Sequence, residues 1–280
     1  MSMHMRDSHR LFLQSFMSRG LLDAKEVRQL FKTVCLKFNE PTSDKEEDRK
    51  LQLLEFVRTI NVNIRPFHME IKKGVSEDEG VSYYCLVCTN ESAITRLASD
   101  YTQSELEFFK KLVDQIVDNE GEIGSTSAVN IVDKLDKNMK KMSRQDAQVL
   151  LQKLESAKWI LIHKGTGQVS LSTRCLLELE QYILDVYGAE DENLKCNMCN
   201  KLCIKGQSCD SCQTKLHLHC ASRFFHNKDN PKCPNKNCGS PWPHQVPKKG
   251  PSGDTQSSQV PVASSSTEII YNRKRKAPRS

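Results

Sequence analysis

The sequence predicts a mostly α-helical protein with small β wings. Two helical units, each closed by a β-hairpin, precede a cysteine-rich metal module and a disordered basic tail. Three observations predict this. Apolar residues recur at helical spacing in two successive series, each followed by two short β-like runs. Eight of the twelve cysteines fall between Cys196 and Cys238, most of them in pairs. The residues after His244 are rich in Pro, Ser and Gly and poor in bulky apolar side chains, so they cannot bury enough surface to offset their ordering entropy.

The first helix carries Leu11, Phe12, Leu13 and Phe16 and ends near Gly20. Asp23, with Glu26 three residues later, has the spacing of a capping box and opens the second helix. Its apolar stripe is Val27, Leu30, Phe31, Val34 and Phe38. After a charged loop, Leu51, Leu54, Val57, Ile60 and Ile64 predict a third helix, stopped before Pro66. The runs HMEIKKGV and VSYYCLVCT, joined by an acidic turn ending in Gly80, predict a hairpin.

The second unit repeats the order without repeating the sequence. Thr102 and Glu105 have capping-box spacing, and Leu106, Phe109, Val113 and Ile116 share one face. Val129, Val132 and Leu135 suggest a short helix. Ser143 can cap the next, with Ala147, Leu150, Leu151 and Leu154 inward. WILIHKGTGQVSL reads as two strands about a glycine-containing turn, with Trp159 in the core, and Leu176, Leu179, Ile183 and Val186 mark a last helix. Three helices followed by a hairpin wing is the order of a winged-helix domain. The predicted organisation is a winged-helix-like domain over 1–90, a winged-helix domain over 91–190, a zinc domain over 191–247 and a disordered basic tail over 248–280.

Charge narrows the partners. Residues 1–195 hold 27 Lys/Arg and 31 Asp/Glu, a net of −4, whereas 196–244 and 245–280 each hold seven basic and two acidic residues. A uniformly basic nucleic-acid coat is therefore excluded for most of the chain. One local basic run, Lys134, Lys137, Lys140, Lys141 and Arg144, precedes and enters the recognition-helix position. It reads either as a solvated helix entrance or as a salt-sensitive phosphate contact, which makes Lys137, Lys140, Lys141 and Arg144 the candidate DNA residues. No stretch approaches the roughly 18 apolar residues of a membrane span. The first residues carry His, Arg and Asp where a secretory signal needs an apolar block. A reducing compartment is expected, where cysteines read as metal ligands, catalytic thiols or core residues.

The strongest signal is Cys196-x2-Cys199-x9-Cys209-x2-Cys212-x4-His217-x2-Cys220-x12-Cys233-x4-Cys238. Eight ligands in pairs fit two tetrahedral Zn²⁺ sites with no position left for a catalytic water, so the zinc reads as structural. In a cross-brace, the first and third pairs share one ion and the second and fourth share the other. That predicts Cys196, Cys199, His217 and Cys220 for site 1, and Cys209, Cys212, Cys233 and Cys238 for site 2. Cys203 is left out, and His219 competes with His217. Cys85-x2-Cys88 has no second pair nearby; Cys35 and Cys175 sit in apolar helical stripes.

This ligand order occurs in RING-like domains and PHD fingers. Cys196 to Cys212 contains no aromatic residue for a methyl-lysine cage, which argues against histone reading. Met198 and Ile204 could form an apolar platform, and Pro234 directly follows Cys233, as in many RINGs that bind ubiquitin-conjugating enzymes. The basic residue that many active RINGs carry after the last ligand is Gly239 here.

Tandem winged-helix domains, a cross-braced two-zinc RING-like module and PWPH immediately after it together resemble the non-SMC element 1 family, RING-like subunits of the Smc-five/six chromosome complex. The resemblance spans residues 8 to about 247. It rests most firmly on KCNMCNKLCIKGQSCDSC, LHLHC, SPWPHQVP, MEIKKGVSEDEG and QVLLQKLESAKWI. It implies a MAGE-family partner, a kleisin-like partner, a chromosome-associated nuclear role in recombinational DNA repair, and ubiquitin-ligase activity helped by the MAGE partner. A structural adaptor of the same complex is the alternative. The run Arg273, Lys274, Arg275 and Lys276 is the candidate nuclear signal.

Overall fold

The computed structural model describes residues 4–89, 100–136, 141–188 and 194–246. The first unit is a winged helix built from α1 (Asp7–Arg19), β1 (Leu21–Asp23), α2 (Ala24–Lys37), α3 (Glu46–Ile64), β2 (Met69–Val75) and β3 (Ser82–Cys88). Gly20 ends α1 at φ 73°, a left-handed backbone that favours glycine. Asp23 caps α2 through the backbone N–H groups of Lys25 and Glu26, and Glu26 returns the bond to Asp23. The wing hairpin pairs Met69 with Cys88 through Val75 with Ser82.

Two features of this unit differ from the sequence reading. The strand β1 pairs with β3 to make a three-stranded sheet, order β1-β3-β2. Three residues are too few to show alternation, and the strand forms because β3 offers an open edge. On α3, Leu51 and Leu54 are 65% and 52% exposed, while Leu53 and Phe56 turn inward with Val57, Ile60 and Ile64. This helix carries more apolar residues than one face accommodates, and aromatic contacts decide its rotation: Phe56 meets Phe12 at 5.3 Å and Phe31 at 5.2 Å. Phe38, at the end of α2, and Val186 are likewise exposed.

The second winged helix comprises α4 (Gln103–Asp118), β4 (Glu122–Gly124), α5 (Ser125–Val129), α6 (Arg144–Ser156), β5 (Ile160–Ile162), β6 (Gln168–Leu171) and α7 (Thr173–Tyr187). Its sheet order is β4-β6-β5. The expected helix through Val129, Val132 and Leu135 is α-helical only to Val129 and continues as a 3-10 turn to Lys134. The tighter turn rotates the face, so Ala128 and Ile131 are the buried residues. Trp159 lies in the core, edge-on to Phe109 at 5.9 Å and beneath the Arg174 guanidinium at 4.6 Å.

Ser143 caps α6, accepting from the Asp146 N–H while the Asp146 carboxylate accepts from the Ser143 N–H. Replacing Ser143 by Ala is expected to cost about 1 kcal/mol, visible as a lower denaturant midpoint. An unchanged midpoint would show that the cap contributes nothing.

The two units touch through α7, whose Leu177 packs on Gly74 of β2. A β-carbon at position 74 would approach Leu177 to 2.9 Å, so glycine permits this contact. Lys72 and Glu180 pair across the same seam at 3.7 Å.

The RING-like module has little regular structure: β7 (Gln207–Ser208), β8 (Lys215–Leu216) and α8 (Leu218–Phe224). Its apolar centre is Leu216, Ala221, Phe225 and Trp242, packed among the cysteines. The PWPH segment closes it: Trp242 packs tilted on Phe225, ring centroids 5.1 Å apart, and its indole N–H donates to Gln207, while His244 bonds the Ser208 carbonyl. No helix among the described residues is long and apolar enough to cross a membrane. The tail expected over 248–280, with Arg273, Lys274, Arg275 and Lys276, lies outside the described residues, as do Lys137 and Lys140.

Candidate metal centres

Three of the ligand pairs sit on turns, while His217 caps α8 and Cys220 lies in its first turn, and the chain's return through β7, β8 and α8 interleaves the pairs. Cys196, Cys199, His217 and Cys220 converge with their ligand atoms all within 4.8 Å, as do Cys209, Cys212, Cys233 and Cys238. A tetrahedral ion with Zn–S bonds of about 2.3 Å sets its sulfurs about 3.8 Å apart. The Cys209–Cys238 and Cys212–Cys233 sulfurs stand 3.8 and 3.5 Å apart. Cys199 Sγ lies 3.3 Å from His217 Nδ1, and Cys220 Sγ lies 3.9 Å from it. These separations are far above a disulfide's roughly 2.05 Å and suit a shared ion.

The surroundings also fit a metal. His217 Nε2–H donates to the Leu202 carbonyl at 2.9 Å, which fixes the tautomer that leaves Nδ1 as ligand. Hydrogen bonds from Cys199 and Cys220 lower the Cys196 thiol, while the contacts with Cys196 and Cys199 raise that of Cys220. In the second cluster, bonds from Thr214 lower Cys212 to about 6. The fourth pair closes despite its four intervening residues: Asn235 donates to Thr214 Oγ1 and accepts from the Asn237 N–H, folding the longer knuckle.

Geometry separates the two histidines. His219 stacks on His217, rings 4.8 Å apart and 17° from parallel, and stays outside both clusters. Burial lowers its pKa to about 4, so it is neutral near pH 7. Cys203 is a buried thiol whose pKa burial raises; its sulfur contacts the Lys205 carbonyl. Cys85 is buried and Cys88 half-buried, both on β3, and neither joins a cluster among the described residues.

The expected docking platform divides. Met198 is 45% exposed beside the first cluster and Pro234 is half-buried beside the second. Ile204 corrects the reading: it is 2% exposed and packs with Leu194 and Leu202 into the core of the second winged helix. The apolar character at 204 answers to that core, and no conjugating enzyme can reach this side chain. In the basic run, Lys141 is exposed, but Arg144 pairs with Asp133 at 2.9 Å and Lys134 donates to Gln115.

Nothing in the sequence marks Glu77. It stands in an acidic turn with Asp78 and Glu79, where composition does not distinguish the buried acid from its neighbours. It is 7% exposed and groups with Cys203 and His217.

The comparisons with known proteins agree with this architecture. A family model described as "Nse1 non-SMC component of SMC5-6 complex" matches residues 9–179, and a RING-like domain model matches residues 196–238. A Xenopus laevis protein, "Non-structural maintenance of chromosomes element 1 homolog", is 38% identical over 279 residues, covering 99% of this chain and 96% of the relative. The Homo sapiens protein of the same description is 38% identical over 247 residues, 87% of each chain. A chain from a solved "Nse1-Nse3-Nse4 complex" superposes with a TM-score of 0.75 at 38% identity, covering 87% of this chain and 99% of that one. Two winged helices under the first family model, followed by the cross-braced clusters under the second, place the chain in the Nse1 family of non-SMC components of the SMC5-6 complex.

Proposed function

We propose that this chain is the RING-type E3 ubiquitin ligase subunit of an SMC5-6 chromosome complex, bound to MAGE-family and kleisin-like partners and acting in the nucleus in DNA repair by homologous recombination. The observation that carries the reading is the pair of complete four-ligand clusters, which leave no open coordination position. Zn²⁺ bound there supplies cross-links that hold the loops in shape. The chain's residues then act by positioning: no side chain forms a covalent intermediate, and a ubiquitin-loaded conjugating enzyme docked over Met198 and Pro234 has its thioester oriented for attack by a substrate amine. Gly239 in place of a basic residue after Cys238 fits dependence on the MAGE-family partner.

The test is ubiquitin transfer by the chain reconstituted with that partner, against a broad panel of conjugating enzymes. Transfer that falls when the partner is omitted is expected. No transfer with any enzyme would leave a non-catalytic structural adaptor, a reading favoured by the burial of Ile204, which gives half of the expected platform to the contact with the second winged helix. Zinc is checked separately. His219→Ala is expected to keep two Zn²⁺ per chain, measured by metal analysis, because His219 lies outside both clusters; a fall to one would reassign the imidazole ligand.

A further inference from the structure

The tip of the first unit's wing reaches across the molecule into the RING-like module. Glu77, in the turn between β2 and β3, accepts the Ile204 N–H at 2.8 Å with one carboxylate oxygen and the Lys205 N–H at 3.2 Å with the other. The first of these oxygens also lies 3.6 Å from His217 Nε2. The carboxylate is therefore buried against two consecutive backbone donors and against the far side of a metal-ligand imidazole. The adjoining Asp78 pairs with Lys205 at 2.6 Å, and the same ammonium meets Glu122 of the second unit at 3.1 Å. Lys201 donates to the Lys73 carbonyl nearby. All three bodies of the protein meet at this knuckle.

We propose that Glu77 is a positioning residue for metal site 1, acting from a different domain: it anchors the 202–205 knuckle and orients His217 from behind. The proposal rests on the zinc reading above. Two N–H groups fix the carboxylate in its place. From there it favours the Nε2–H tautomer that donates to Leu202 and makes Nδ1 the better ligand, as outer carboxylates do around metal-bound histidines. Because the same two oxygens bind the knuckle to the wing, the geometry of the RING-like surface is tied to the winged-helix body.

The full chain carrying Glu77→Ala or Glu77→Gln tests this, with Glu79→Ala, an exposed acid of the same turn, as control. In cadmium-substituted protein the three-sulfur, one-nitrogen site and the four-sulfur site give separate resonances, so release to a chelator is followed site by site. Glu77→Ala is expected to release the site 1 ion roughly tenfold faster or more, with site 2 unchanged. Amide exchange at Ile204 and Lys205 is expected to accelerate in the order wild type, Gln, Ala, since an amide offers one acceptor oxygen where the carboxylate offers two. Equal release from site 1 in wild type and Glu77→Ala, or an equal acceleration at both sites, would overturn the proposal. A wild-type chain that takes up no metal would instead overturn the zinc reading, a result distinct from a loaded site 1 that is indifferent to Glu77.

Discussion

Stripping the metal is expected to unfold most of residues 194–246 while the two winged helices stay folded. The module has two strands of two residues each and one short helix. Its apolar centre, Leu216, Ala221, Phe225 and Trp242, is too small to offset the entropy of ordering the loops around it. Structural zinc supplies about 10–16 kcal/mol of apparent binding free energy in small domains of this type, and here that is the term available to close the balance. Serine does not replace the thiolate, so Cys199→Ser should lose one of two ions and the protection of the first knuckle together. Segment-resolved hydrogen exchange, with and without chelator, measures this. The winged helices have their own buried cores, built around Phe12, Phe16 and Ile60 in one and Phe109, Leu112 and Trp159 in the other, and should keep their slow amides. A chelated module that retained wild-type protection would show that packing, not metal, holds it.

The same contrast explains what the sequence discloses. Ligand pairs and capping boxes are local: Asp23 with Glu26, Thr102 with Glu105, and Cys196 with Cys199 each work within one turn of chain, so spacing alone reveals them. Leu51 and Leu54 face outward against their spacing because α3 has apolar residues on two overlapping faces, and only Phe12 and Phe31, distant in sequence, choose between them. The short strands β1 and β4 exist because a wing strand beside them offers an edge. Glu77 and Ile204 are illegible for a stronger reason. Their roles depend on how the wing of one domain meets the knuckle of another, 127 residues later, and no periodicity encodes that contact.

Met198→Asp and Ile204→Asp should therefore fail in different ways, although both residues are apolar and both lie near the first ligand pair. Asp at 204 would place a carboxylate in the core shared with Leu194 and Leu202, a few ångströms from the buried Glu77 carboxylate that its own N–H already binds. An uncompensated buried charge costs about 3–5 kcal/mol, and the like charge beside it adds to that. The expected result is a lower unfolding midpoint and fast exchange across 194–206, with any loss of ubiquitin transfer following from the disturbed fold. Asp at 198 meets solvent, so the chain should keep its midpoint and, on the function proposed above, its two ions and its MAGE-family partner. Loss of the apolar contact with a conjugating enzyme, worth about 1–3 kcal/mol, then predicts a tenfold or larger drop in transfer from a folded protein. Wild-type transfer by a metal-loaded, partner-bound Met198→Asp chain would remove this surface as the docking site. A wild-type midpoint for Ile204→Asp would mean that the module does not rest on the second winged helix in solution, and the coupling through Glu77 would lose its foundation with it.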